Sequence, residues 1–421
     1  MNEPLVKTLA LSTCNKKNQI HTSSNEEDQK YGERTVAINS DGLSKMAENI
    51  VTSIENNGES NQKDFVEWDE EGYHYSGDAY KRSMMNDDRI FLMKMERVAL
   101  YILALDAMNF CFWPAHENID SKNAKTDSNH QAALEYVHLA TALKKVAEID
   151  DIIACDPTIS DSVDVQSESS YNLSPEALSK MTPSKLNNLL SKYLPSQLPN
   201  LEERCRLLNE LGLGLQYYHS SSALKLLQKA DKSAESLVNL LLSSFSGFRD
   251  EAIDHTGKII YFYKRAQIAV ADLKAALGTY HASPLDEKQG RLYCEFADFK
   301  DMDKLTTFAD YRVPQFLRHH GVLIYAPELG KDKIDKKIEL SAGSKDEIYI
   351  RAATVVAVDM LVDQVKLILE NRFLAQPNAN TERQKNSVNA VKIDWLLWQL
   401  GEKLEIQGEM RFHHRVRTIY Y

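Results

Sequence analysis

The 421-residue chain has few of the features that mark the commoner enzyme sites. Its five cysteines, Cys14, Cys111, Cys155, Cys205 and Cys294, are odd in number, widely scattered and form no CxxC pair. That pattern supports neither a disulfide framework nor a zinc site and fits a reducing compartment, with the cytoplasm expected and the nucleus open. No apolar run approaches the roughly 20 residues of a membrane span, and residues 5–13 are too short and wrongly flanked for a secretory signal. Lys7, Lys16 and Lys17, among few early acids, leave an organellar peptide open. There is no GxGxxG, no P-loop sequence, no HExxH and no internal repeat, which removes the usual short signatures of dinucleotide, nucleoside triphosphate and zinc-protease chemistry. Positive charge is also in deficit: 50 Lys and Arg stand against 61 Asp and Glu, a net charge of -11. This is the wrong sign for holding a long polyanion through a surface field, so no stable polynucleotide binding is expected. A small phosphorylated ligand needs only a few local cations in a cleft and stays open.

What is present is an ordinary globular composition, 43% hydrophobic and 26% charged, on a chain long enough for a sizeable core. Residues 1–62 are rich in Asn, Ser, Glu and Lys and read as a polar, flexible extension, although residues 43–54 could form one amphipathic helix. Residues 63–421 read as a single compact, mainly α domain with a few short strands, and a monomer is expected. Two polar gaps, near 117–131 and 155–171, read as surface insertions flanking a helix over 132–149. The run RIFLMKMERVALYILALDAMNF is apolar on all sides and predicts a buried helix ending before Pro114. Three or four further helices are expected between 173 and 242, several opened by Ser or Pro. A hairpin or loop over 248–262 then leads into a helix from about 263 to 277. Further helices are expected over 307–320, along the run beginning IYIRAATVV, and over VKIDWLLWQLGEKLEI. The mixed aromatic and acidic stretch from Trp68 to Tyr80 reads as a loop that could border a pocket.

Three groups of residues could carry chemistry. In TFADYRVPQ, Asp310, Tyr311 and Arg312 precede a Pro suited to a helix's first turn, which puts Asp310 in a capping position. Free N–H groups and the positive helix end would hold its carboxylate ionised, as an anionic stabiliser of an oxocarbenium-like transition state requires, though a plain helix cap explains the placement equally. Lys264 and Arg265 open an apolar helix, where they oppose the dipole and need either solvent or an anionic partner such as Asp250, Asp272 or a ligand phosphate. Lys264, Ile268, Ala271 and Ala275 share one face of that helix, with Asp272 one position away. The aromatics Phe110, Phe112, Trp113 and Trp395 could stack on a flat base or simply fill the core. Asp394, beside Trp395, is either a cap or a ligand for an amide or cation. Glu347 and Arg351 are spaced for a helical ion pair, and His413, His414 and Arg415 lack a third metal ligand and read as surface residues.

Taken in order, NFCFWP, FRDEA, YFYKRAQIAVADL, LTTFADYRVPQFL, IYIRAATV, IDWLLW and the terminal HHRVRTIYY resemble the queuosine salvage family over roughly residues 64–421. FADYRVPQ and YKRAQ-x-x-VADL are the specific strings; the stretch after NFCFWP is longer here than the family pattern. The resemblance implies a helical fold related to helix-hairpin-helix DNA glycosylases and hydrolysis of queuosine 5'-phosphate to queuine and ribose 5-phosphate, with no metal or organic cofactor. It implies that Asp310 stabilises the ribosyl cation or activates water, and that Lys264 holds the phosphate or ribose with help from Arg312. Asp250 and Asp394 become candidates for polar contacts to the base, and Phe248, Tyr311, Trp113 and Trp395 for packing against it. Two other readings remain at this level: a non-catalytic helical module that binds tRNA or a protein, and a nucleosidase for another modified purine.

Overall fold

The computed structural model describes residues 35–57, 65–76, 88–113, 134–155, 171–282, 296–375 and 379–421. Pro114, Tyr80, all of the expected insertion near 117–131 and all but Cys155 and Tyr171 of that near 155–171 lie outside these. In chain order the described elements are β1 (Val36–Ile38), α1 (Ser40–Asn57), α2 (Asp88–Ala107), α3 (Tyr136–Cys155), α4 (Pro175–Leu178), α5 (Pro183–Leu190) and α6 (Leu201–His219). Then come α7 (Ala223–Lys229), α8 (Ala234–Ser244), β2 (Glu251–Ile253), β3 (Ile259–Tyr261), α9 (Lys264–Ala282), α10 (Arg312–His319) and β4 (Leu323–Tyr325). The last are α11 (Pro327–Gly330), α12 (Lys345–Ala375), α13 (Ala379–Ser387) and α14 (Ala390–Ile406). The mainly α expectation is met, and among the described residues no helix is long and apolar enough to cross a membrane.

Two apolar cores organise these helices. The first gathers α2 to α9: Phe91, Val98, Ile102 and Leu105 of α2 are fully enclosed, as the all-round apolar pattern of that helix demands. The second is formed by α1, α10, α12 and α14 together with β1, β4 and the chain's last residues. The hairpin expected over 248–262 is present as antiparallel β2 and β3, registered Glu251↔Tyr261. The run SALKLLQKADKSAESLVNLLLSSF, which reads as one of the helical segments expected after residue 173, divides into α7 and α8 where Asp231 and Lys232 take left-handed φ values of 49° and 61°. The new start is capped by Ser233, whose hydroxyl accepts from the Ser236 N–H, and by Asp301, which accepts from the Ala234 N–H.

The stretch that composition assigns to a polar extension contains part of the second core. Leu43, Met46, Ala47, Ile50, Val51 and Ile54 recur at helical spacing along α1 and are all buried against α12. Each large apolar side chain so buried contributes about 1.5–3 kcal/mol, enough to hold a helix whose other face is polar. β1 pairs antiparallel with β4, Val36 opposite Tyr325. Gly42 permits this docking, because a Cβ there would stand 2.4 Å from the Gly321 carbonyl oxygen. Gly42→Ala is therefore expected to lower stability by about 1–3 kcal/mol, read as a shift in the urea midpoint; an unchanged midpoint would show that the docking tolerates displacement.

Candidate active site

The cleft between the two lobes is floored by α9, whose residues Lys264, Ile268 and Asp272 lie one turn apart along it. Asn109, Phe308, Asp310 and Tyr311 close one part of the cleft. Asp394, Trp395, Trp398 and Gln399 of α14 form another wall, and Trp68, His74 and Tyr136 a third. The enclosed and open space together amounts to about 600 Å³.

Asp310 is 8% exposed and sits just before α10. Its Oδ1 accepts from the backbone N–H of Arg312 at 2.9 Å and of Val313 at 3.2 Å, so it does cap the helix, from one residue before the formal cap, Tyr311. Burial nevertheless pushes its carboxyl above the usual range. The Lys264 ammonium and the two N–H groups work against that shift and favour the carboxylate. Lys264 is 2% exposed; its Nζ donates to the Asn109 carbonyl at 3.3 Å. Desolvation brings its pKa down to about 8, with Asp310 the largest charge keeping it protonated. The solvated-lysine alternative is thereby removed. Asp394 accepts at one oxygen from the Thr307 hydroxyl and from the Phe308 N–H at 2.8 Å. Burial, then the neighbouring Asp310, raises its carboxyl well above the ordinary carboxylate range.

Asp310, Lys264, Tyr311, Asp394 and Trp395 therefore meet in one cleft, while Asp250, Arg312, Phe248 and Trp113 lie outside its lining. Asp250 has both oxygens on Arg351, at 2.9 Å for Nη1, and one also accepts from the Lys264 backbone N–H. The Glu347–Arg351 pair is the weaker contact of that arginine, at 3.7 Å. Arg312 is spent on carboxylates, with Glu402 at 2.5 Å, Glu405 at 3.1 Å and Glu135 at 3.4 Å, and is not free for a phosphate. Arg265 donates to the carbonyls of Asp106, Ala107 and Gly247 rather than to the Asp250 or Asp272 carboxylate. Phe248 packs beneath its guanidinium. Trp113 stands edge-on to Tyr311 at 5.6 Å and thus supports the cleft from behind. His414 is buried rather than superficial, and His413 lies against Tyr311 with the rings tilted and their centres 4.6 Å apart.

The lining residues that sequence reasoning did not single out are Asn109, Tyr136, Phe308, Trp398 and Gln399, with Trp68 and His74 foreseen only as parts of a pocket-bordering loop. Trp68 and His74 stack face to face at 4.3 Å. His74 is held between the Asp69 carboxylate, 2.8 Å from Nδ1, and the Tyr136 hydroxyl, 2.8 Å from Nε2. The only signal in the sequence was aromatic density in an acidic loop. Among the described residues, no three His, Cys, Asp or Glu side chains are grouped as a metal site would group them.

A model of the family described as queuosine salvage protein matches residues 91–421. The chain is 35% identical to a queuosine 5'-phosphate N-glycosylase/hydrolase of Dictyostelium discoideum over 326 residues, 77% of this chain and 79% of that protein. It is 34% identical to the protein of the same description from Sphaerobacter thermophilus, over 77% of this chain and 82% of the relative. The Bos taurus relative so described is 29% identical, again over 77% of this chain and 82% of its own length.

Proposed function

Since the chain belongs to the queuosine salvage protein family, we propose that it hydrolyses the N-glycosidic bond of queuosine 5'-phosphate, releasing queuine and ribose 5-phosphate. The observation that carries the reading to particular atoms is the presence of Asp310 and Lys264 in one aromatic-walled cleft, each favouring the other's charged form. As the bond from the anomeric carbon to the base nitrogen breaks, its electron pair leaves with the base and positive charge grows on the ribosyl group. The Asp310 carboxylate, oriented by two backbone N–H groups, stabilises that charge and accepts a proton from the water whose oxygen bonds to the anomeric carbon. The Lys264 ammonium meets the 5'-phosphate. Flat aromatic side chains around Trp395 and Tyr311 suit a ring system, and Asp394 suits a polar base edge.

The direct test is chromatographic detection of free base after incubation with queuosine 5'-phosphate, queuosine or guanosine monophosphate, in the presence of a chelator. Release from the first substrate alone supports the reading and its metal independence. Release from guanosine monophosphate moves the assignment to a broader purine nucleosidase. No release from any of them by folded protein leaves the binding-module reading.

Lys264 carries a second expectation. Lys264→Met is expected to reduce kcat/KM for the 5'-phosphate by about 10²-fold while affecting the dephosphorylated nucleoside much less. Because the lysine loses its proton near pH 8, the wild-type preference for phosphate should fade as pH rises through about 8. A preference unchanged by either manipulation would assign phosphate recognition elsewhere. The relation to helix-hairpin-helix DNA glycosylases, the monomeric state, the absence of polynucleotide binding and residence in the cytoplasm or nucleus belong to the same proposal. They are open to superposition on such a glycosylase, sedimentation, tRNA titration and cell fractionation.

A further inference from the structure

The long axis of the cleft runs from a cation to a distant carboxylate. Lys264, Ile268 and Asp272 occupy positions i, i+4 and i+8 on α9, so Lys264 and Asp272 begin from Cα atoms about 12 Å apart, with an apolar side chain between them. Asp310 and Asp394 belong to the Lys264 end, where each is acted on by the lysine's charge. Asp272 stands at the other end, by Trp68. It is 4% exposed, and its Oδ1 accepts from the Trp68 indole N–H at 2.9 Å. Its Oδ2 takes no hydrogen bond among the described residues. The same Trp68 stacks on His74, so the ring that orients the carboxylate also belongs to the cleft's aromatic wall.

We propose that Asp272 is the specificity-determining carboxylate of this cleft, binding the ammonium of the base's aminomethyl side arm while Lys264 meets the phosphate at the opposite end. The inference rests on the hydrolase reading above and deepens it. The glycosidic nitrogen and the arm-bearing carbon are separate corners of the base's five-membered ring. Phosphate and ammonium therefore diverge, which matches a floor with a cation at one end and a carboxylate at the other. Electrostatics agree with this placement. Burial, and after it the nearby carboxyl of Asp106, raises Asp272 well above the ordinary range. Asp106 itself is pushed up to about 8 by burial. The His74 charge and the Trp68 N–H work against that shift only in part, and a ligand cation against Asp272 would offset the rest of the cost of keeping charge there.

The test compares two bases as competitive inhibitors of the full-length protein: queuine, with the charged arm, and 7-deazaguanine, without it. Wild type is expected to bind queuine at least about tenfold more tightly. Asp272→Asn, which keeps the size and the acceptor for Trp68, should bring the two inhibition constants within about threefold of each other, mainly by weakening queuine. Trp68→Phe, which keeps a ring but removes the N–H that orients Asp272, should narrow the ratio in the same direction and carries the test if Asp272→Asn does not fold. A wild type with no preference, or a variant that weakens both bases equally, overturns the assignment. If wild type releases no base from queuosine 5'-phosphate, the hydrolase reading falls; if it releases base but shows no preference for queuine, the Asp272 assignment alone falls.

Discussion

Asp310→Asn is expected to remove about 10³-fold or more of the turnover of queuosine 5'-phosphate while leaving the protein folded. The side-chain oxygen of asparagine can still accept the Arg312 and Val313 N–H groups, so the start of α10 keeps its cap. What disappears is the negative charge facing Lys264 and the capacity to take a proton from water. A buried carboxylate held above its ordinary pKa is also a cost to the fold, and its neutralisation should leave the unfolding midpoint unchanged or raise it. The measurement pairs free-base chromatography with urea unfolding on the same preparations. Turnover within about tenfold of wild type in a folded variant would remove Asp310 from the chemistry.

The second large effect is on stability and concerns Asp250. Its carboxylate is gripped by both terminal nitrogens of Arg351, whose Nε donates to the Ala309 carbonyl at 2.8 Å and whose guanidinium lies 4.0 Å from the Phe262 ring centre. One pair thus ties the loop before the β2–β3 hairpin, the first turn of α9 and the residue preceding Asp310 to the middle of the second lobe. Asp250→Ala would leave a buried guanidinium with only the longer Glu347 contact as counter-charge, at a cost of about 3–5 kcal/mol in urea unfolding. The double variant Asp250→Ala, Arg351→Met should recover part of that loss, because the buried guanidinium is gone and the remaining cost is that Glu347 loses its 3.7 Å contact. A loss below about 1 kcal/mol for the single variant would mean that water enters and solvates Arg351, and would reopen a ligand-binding role for Asp250.

Such pairings explain where sequence reasoning reached and where it stopped. Helical periodicity gave α2, α9, α12 and α14, because their burial patterns repeat within a single segment. It placed the helix after Asp310 too early, at 307 instead of Arg312. There Thr307 and Phe308 are drawn instead to Asp394, more than eighty residues later, and no local pattern encodes that competition. The Asp310 cap was legible because its partners lie two and three residues away. The resemblance made Asp250 and Arg312 candidates for ligand contacts; their pairs with Arg351, Glu402 and Glu405 join residues about ninety or a hundred positions apart, which no local motif encodes. Composition alone hides α1 because one apolar stripe among Ser, Asn and Glu is diluted in any average; the helical spacing of residues 43–54 marked it, and that stripe is enough to bury one face.

The pairing of β1 with β4 also gives this chain a timetable. Val36 meets Tyr325 only after roughly 290 further residues have been made, and the apolar stripe of α1 finds its seat on α12 later still. At translation speeds of about 5–20 residues per second, α1 waits some 15 to 60 seconds beside the ribosome with Leu43, Ile50 and Ile54 lacking their final partners. The first lobe, whose helices follow one another closely in sequence, can be complete before then. The early segment is therefore the part of the nascent chain most in need of a chaperone, and the half of the cleft carrying Asp310 and Asp394 assembles last.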